Sequence, residues 1–389
     1  MIFASAVTIG QTIMLSVVSV IIFLVTFFIS LKYTISPVYL IIGAAWRALS
    51  YSNSMNTIQG IQMIGTQRSG SNLLRVMLDG IREIAAPHPP HILQRFLPLL
   101  PKYGDLTDQS NFYRLAQDVC ELVTVNPVPW EGITIRADEV VAACRQQTLY
   151  ELFRVIYESA ARQTGASFWL CKSMKNMLYA EGIESTGISP YYIYLYRDGR
   201  DVALSFKKAI VGEKHIYALA ENWKKDQEAA LRLKDRTAAD HFFMLNYETL
   251  IASPEKVMRQ LCDFLHLPYS DRVMDYYKSR ESENTAVAGK MWANVTKPIL
   301  KDNTKKFLRE LSSEDIAIFE SVAGDLLQQL GYSLYTPLDL LKGSFSDEEI
   351  VLFNEENIRL KNVFIQQADP ADLAKRRPQD ELINRIKQY

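Results

Sequence analysis

The chain lacks any imbalance of charge. Lys and Arg number 43 against 44 Asp and Glu, so the net charge of −1 sets up no global field to recruit nucleic acid or an anionic membrane surface, and any positive site must be local. Cysteine is scarce too. Cys120, Cys144, Cys171 and Cys262 are scattered without the paired spacing of a metal site or a disulfide framework, so no metal is expected and a reducing compartment fits best. Histidine occurs only five times, two of them within four residues of each other at His88 and His91.

Charge is missing altogether from residues 12–31, a run rich in Ile, Leu, Val and Phe and long enough to cross a bilayer as a helix. A secretory signal peptide is the rival reading, but residues 1–11 contain no Lys or Arg and no clear small-residue cleavage site follows. The run is therefore read as a single-pass transmembrane anchor. Its first flanking cations, Lys32 and Arg47, lie on the C-terminal side and place that side in the cytoplasm. Residues 38–49, with Trp46, are too short to span and suit the membrane interface. Residues 50–59 read as a polar linker. With 48% hydrophobic residues in 389, the remainder holds one substantial core over 60–335. From 336 to 389 the composition turns charged with apolar residues at helical intervals. This is an amphipathic extension that packs on the domain or on a second subunit as a homodimer, and nothing in it suggests chemistry.

Two stretches carry chemistry. In residues 61–74 an apolar strand breaks into a Gly/Ser loop that opens a helix, and Gly65 and Gly70 have the spacing of a Walker A loop. Ser71 stands where that loop needs Lys, and Asn72 where it needs the Mg²⁺-binding hydroxyl. Backbone N–H groups at a helix N-terminus still bind anions, and Arg68 adds charge. A phosphate-bearing donor other than a metal-bound triphosphate is implied. In residues 191–205 a second strand runs through a polar turn into a helix, and Arg197 and Ser205 can converge on a second phosphate. Strand patterns at 61–66, 168–172, 191–196 and 242–246 alternate with helical ones around 146–163 and 254–265. The fold class is α/β, a P-loop-like open parallel sheet with helices on both faces and ligands at the strands' carboxyl ends.

The loop Thr66-Gln67-Arg68-Ser69-Gly70-Ser71-Asn72 resembles the 5′-phosphosulfate loop of the sulfotransferase family, and the run from Arg197 to Ser205 resembles its 3′-phosphate motif. The resemblance extends over roughly 60–335 and is closer to the tyrosylprotein and bacterial type than to cytosolic small-molecule enzymes. It implies 3′-phosphoadenosine-5′-phosphosulfate (PAPS) as cosubstrate and transfer of its sulfuryl group to an acceptor hydroxyl or amine on a lipid, sugar, peptide or small alcohol. Donor contacts then fall on Gly65 to Asn72, Arg197 and Ser205, with Lys297 from the Lys-Pro segment near Trp292. Arg68 and Lys172 counter charge at the transferring group.

Cytosolic members carry Lys-Thr-His after the middle strand, with the His as base. This chain has Lys172-Ser173-Met174, and Met174 cannot take a proton. In the tyrosylprotein type a Glu after the first helix serves, and the corresponding segment here is Pro87-His88-Pro89-Pro90-His91. His88 falls closest to that Glu, His91 is second and Glu83 third. Such a base on a solvated rim would titrate near its reference value of about 6.5. The segment 87–130 shapes the acceptor pocket. A glycan on the sequon Asn294-Val295-Thr296 would block the site, which favours the cytoplasm. Two other classes remain: a P-loop phosphotransferase or kinase, which would want Lys at position 71, and a non-catalytic nucleotide-binding membrane protein.

Overall fold

A computed structural model describes residues 58–389, which form one compact unit. The anchor, the interfacial segment and all but the end of the linker lie outside the described residues. Among those residues no helix is long and apolar enough to cross a membrane. The linker is shorter than expected at its C-terminal end, because Gln59 already belongs to the first strand.

Five strands form one sheet: β1 Gln59–Ile64, β2 Ile84–Ala85, β3 Phe168–Cys171, β4 Tyr191–Tyr196 and β5 Phe242–Asn246. Their order is β2-β3-β1-β4-β5, and every pairing is parallel. Successive residues of β3 point to opposite faces. Phe168 and Leu170 join one apolar cluster, Trp169 and Cys171 another, so no polar alternation marks the strand in sequence. β4 does the same with Ile193 and Leu195 against Tyr192 and Tyr194. One face is covered by α1 Ser71–Asp79 and α6 Pro254–Phe264, the other by α3 Leu149–Thr164 and α5 Ile216–Arg236. Helix α2 Gln109–Thr124 packs behind α3, α4 Gly199–Lys207 follows β4, and α7 Ser313–Gln329 lies on α5.

The C-terminal extension packs on the domain. Helix α8 Asp347–Gln366 is held by Asn357, whose side-chain oxygen accepts from the backbone N–H groups of Lys214 and His215 at 2.8 and 2.9 Å. Helix α9 Pro370–Ile386 buries Leu382 and Ile386 in the cluster that contains α2. Each such side chain contributes on the order of 1.5–3 kcal/mol. The four cysteines are free thiols, and Cys120, Cys171 and Cys262 are buried.

Because all five strands run parallel, all five carboxyl ends lie along one edge. The residues that leave them are, in sheet order, His88 after β2, Lys172 after β3, the loop 65–70 after β1, Arg197 after β4 and Tyr247 after β5. The sheet order thus sets the order of the functional groups.

Candidate active site

A cavity of about 830 Å³ runs along this edge and touches a group from every strand, among them Arg68, His88, Lys172, Arg197 and Tyr247. Its floor at β1 is the Gly/Ser loop. Gly65 has φ 127° and Gly70 φ 89°, and a Cβ at either position would come within 2.3 Å of the Leu195 carbonyl oxygen or the Tyr247 ring. Both glycines are therefore required by backbone conformation and by close approach. Arg68 also sits in the left-handed region, at φ 71°, a strained placement for a side-chain-bearing residue. Gly70 is the N-cap of α1 and no side chain caps that helix, so the amides of the first turn face the cavity without intrahelical or side-chain acceptors.

Arginines link the β1 and β4 ends. Arg68 donates from Nε to Ser205 Oγ at 3.0 Å, and Arg197 donates to the Arg68 carbonyl at 3.3 Å and the Asn303 carbonyl at 2.8 Å. Arg197 lies over the Tyr247 ring at 4.5 Å and 3.5 Å from Asp201, which also accepts from the Phe307 amide. Burial and then the neighbouring Arg197 lower the Arg68 pKa to about 10. Asp198 and Arg200, conspicuous in the same motif, serve the scaffold. Asp198 caps α4 and pairs with Arg200, which reaches the Glu320 carboxylate and the Ser333 carbonyl.

At the other end His88 is buried, and neither ring nitrogen has a hydrogen-bond partner among the described residues. Its carbonyl accepts from Trp130 Nε1 at 2.7 Å and Asn126 Nδ2 at 2.9 Å, and its ring packs against Trp292 at 5.0 Å. His91 is tied down: its Nδ1 is 3.1 Å from Ser173 Oγ and its φ is 62°. Burial first, then the nearby Lys172, holds His88 well below its ordinary pKa and brings His91 to about 3. The rim is not solvated, so a titration near 6.5 is not what this environment gives. Lys172 stands between the two ends, and burial followed by Arg75 and Arg68 lowers it to about 7.

The placement of several residues departs from the sequence reading. Thr66 turns away from the cavity: its hydroxyl donates to Asp226 at 3.1 Å and accepts from Gln227 at 2.6 Å, fastening the loop to α5. Lys297 is exposed and off the cavity wall, its carbonyl accepting from Tyr276 at 2.7 Å; Lys290 and Lys306 line the cavity instead. Glu83 precedes β2 at the amino end of the sheet, where its carbonyl accepts from the Ser167 and Phe168 amides, so it is not at the catalytic edge. The C-terminal extension does reach the site, through Arg376 and Gln379 of α9. Gly65 and Ser69 shape the loop behind the wall, whereas Gln67, Gly70, Ser71, Asn72 and Ser205 line it. Reasoning from sequence missed Lys208, Lys306, Tyr247, Trp292's packing on His88, and Arg376. Only Tyr247 carried a local signal, by following directly on β5.

The profile of the sulfotransferase family matches residues 60–271. The chain belongs to the sulfotransferase family. A relative in Aquifex aeolicus (strain VF5), described as an uncharacterized protein, is 30% identical over 256 residues, covering 64% of this chain and 30% of that protein. The protein-tyrosine sulfotransferase of Drosophila melanogaster is 24% identical over 298 residues, 74% of this chain and 54% of that one. The chain thus spans less than two thirds of the length of these relatives. Among solved structures, the sulfotransferase domain from the curacin biosynthetic pathway superposes with a TM-score of 0.47 at 19% identity, covering 72% of this chain and 100% of that domain.

Proposed function

We propose that this sulfotransferase-family protein moves the sulfuryl group of PAPS to an acceptor hydroxyl or amine. The observation that carries the reading is the order of groups along the sheet edge: an anion-binding half at β1, β4 and β5 meets a desolvated half bearing an unpartnered imidazole, with Lys172 where they join. The amides at the start of α1, with Arg68, suit the 5′-phosphosulfate, and Arg197 and Ser205 suit the 3′-phosphate.

In the transfer, an acceptor oxygen bonds to sulfur as the bond from sulfur to the bridging oxygen breaks. The electron pair stays on the departing 3′-phosphoadenosine 5′-phosphate (PAP), and the hydroxyl proton passes to His88. Free ring nitrogens fit His88 for that role better than His91, whose Nδ1 is engaged with Ser173. Burial first, and then Lys172 and Arg75, hold the His88 pKa down; an anionic donor beside those cations counters the second part, so the base strengthens once the donor is bound. Lys172 and Arg68 offset charge growing on the bridging oxygen.

Calorimetry of PAP binding in EDTA, paired with transfer from radiolabelled PAPS across lipid, sugar, peptide and small-alcohol acceptors, tests the reading. Strict Mg²⁺ dependence or tighter ATP binding would return the protein to the phosphotransferase class. Binding of PAP without any turnover would make it a nucleotide-binding protein. The uncharged run 12–31 supports a membrane-held enzyme with its domain in the cytoplasm. Alkaline extraction of membranes from cells expressing the full chain checks this, since release into the supernatant rules out an integral anchor.

A further inference from the structure

Helix α9 lies beyond the stretch matched by the family profile, yet it closes the His88 end of the cavity. Its seat is firm. Leu382 and Ile386 are in the core, and Gln379 donates to Asn126 Oδ1 at 3.3 Å and the Leu122 carbonyl at 3.4 Å. Asn126 in turn donates to the His88 carbonyl, so one chain of contacts fixes the helix relative to the imidazole. From this helix Arg376 reaches the cavity with its guanidinium 5.4 Å from the centroid of the Trp292 ring, the same ring that packs on His88 at 5.0 Å. Guanidinium and imidazole thus share one indole neighbour.

Two of the Arg376 nitrogens, Nε and Nη2, are buried without a hydrogen-bond partner among the described residues. Asp372 and Asp380 of the same helix act on it only through space, and Asp372 accepts from the Lys290 amide at 3.3 Å. A second guanidinium, Arg95, lines the same end. A desolvated arginine left unpaired costs several kcal/mol in general, and a planar fork of donors opening on a cavity matches a carboxylate or phosphate. We propose that Arg376, assisted by Arg95, is the subsite for a compact anionic group on the acceptor, so that the C-terminal extension selects a hydroxyl compound carrying a carboxylate or phosphate. The inference rests on the reading of the His88 end as the acceptor side.

The test is kept apart from turnover. Calorimetry on the full chain loaded with PAP compares phenylacetate, phenyl phosphate and neutral phenylacetamide, none of which has a hydroxyl to sulfate. The anions should bind at least about tenfold more tightly than the amide, the size expected for one charge-assisted contact, and the tighter of the two names the group. In Arg376→Met, which keeps an unbranched side chain without the charge, the preference should vanish while PAP affinity is unchanged; Arg376→Lys should retain part of it. Equal affinity for anions and amide in the wild type, or a preference that survives in Arg376→Met, overturns the proposal. If the anions bind as expected and no acceptor is ever sulfated, the transferase reading fails and the subsite stands.

Discussion

On the proposed reading, the donor half and the acceptor half of the cavity are assembled at different ranges along the chain. On the donor side, Arg68 and the first turn of α1 come from one strand–loop–helix unit, and Arg197 and Ser205 from another. On the acceptor side, Asn126, His88, Trp292 and Arg376 come from four separate stretches, each tied to the next by one hydrogen bond or ring contact. Phosphate binding needs backbone amides and a cation at fixed offsets, which a short motif supplies. An acceptor pocket needs only a shape and a few polar groups, which any packing arrangement can deliver.

The comparison is sharpest at His88. His88→Ala should cut transfer about a hundred- to ten-thousand-fold, the usual worth of a positioned base, while PAP affinity stays at the wild-type value. The main-chain contacts to Trp130 and Asn126 survive the substitution, because they use the carbonyl. Single-turnover kinetics with calorimetry on the same preparation decides it. Near-normal turnover in both His88→Ala and His91→Ala would make the segment structural, and a parallel loss of PAP affinity would mean that the halves are not separate.

The reverse experiment perturbs the donor half. Arg197→Ala removes charged donors and should weaken PAP binding by about 1.5–3 kcal/mol, with the acceptor KM unchanged. Ser205→Ala should cost less, since its hydroxyl is neutral. Unchanged PAP affinity in both variants would move the 3′-phosphate elsewhere.

The same contrast explains what the sequence disclosed. Four strands and both strand–loop–helix motifs that line the cavity were legible because each is a local pattern, an apolar run ending in Gly/Ser or in Arg-Asp-Gly. β2 was not, being two residues whose pairing with β3 depends on a partner more than eighty positions away. Thr66 was counted with its loop because a hydroxyl inside a phosphate loop carries no mark of which way it turns, and α5 supplies the Asp226 and Gln227 that turn it outward. Arg376 could not be singled out among the charges of an amphipathic helix. Only the docking of Leu382 and Ile386 determines which of those charges enters the cavity.

Where the halves meet, pH should separate them. Burial and flanking arginines disfavour the Lys172 ammonium, so its charge is present below about 7 and lost as pH rises through that value. Since kcat/KM reports the free enzyme, it should fall on the alkaline side from about pH 7. The limb in kcat should lie higher, because the bound donor's negative charge favours the ammonium. Burial disfavours protonated His88 as well, so the neutral base persists as pH falls through 6.5 and no acid limb should appear there. Lys172→Met should abolish the alkaline limb in kcat/KM. An acid limb at 6.5 that disappears in His88→Ala would show a solvated imidazole, against the burial described here.

The smallest expected effect tests the boundary of the donor half on the C-terminal side. Lys297 and Lys306 belong to the same basic stretch, and sequence reasoning chose the first. Lys297 is exposed, its backbone engaged by Tyr276 and Asn294, whereas Lys306 is half-buried on the cavity wall beside Asn303, whose carbonyl holds Arg197. A half-exposed ammonium facing a phosphate is worth roughly 0.5–1.5 kcal/mol, because solvent screens part of the attraction. Lys306→Ala should therefore weaken PAP binding about three- to tenfold, and the deficit should shrink as salt is raised. Lys297→Ala should bind PAP like the wild type at every ionic strength. If the two variants exchange these behaviours in a salt-dependent calorimetric titration, the segment 290–306 closes over the donor in a different arrangement, and the donor half extends farther along the chain than its two local motifs.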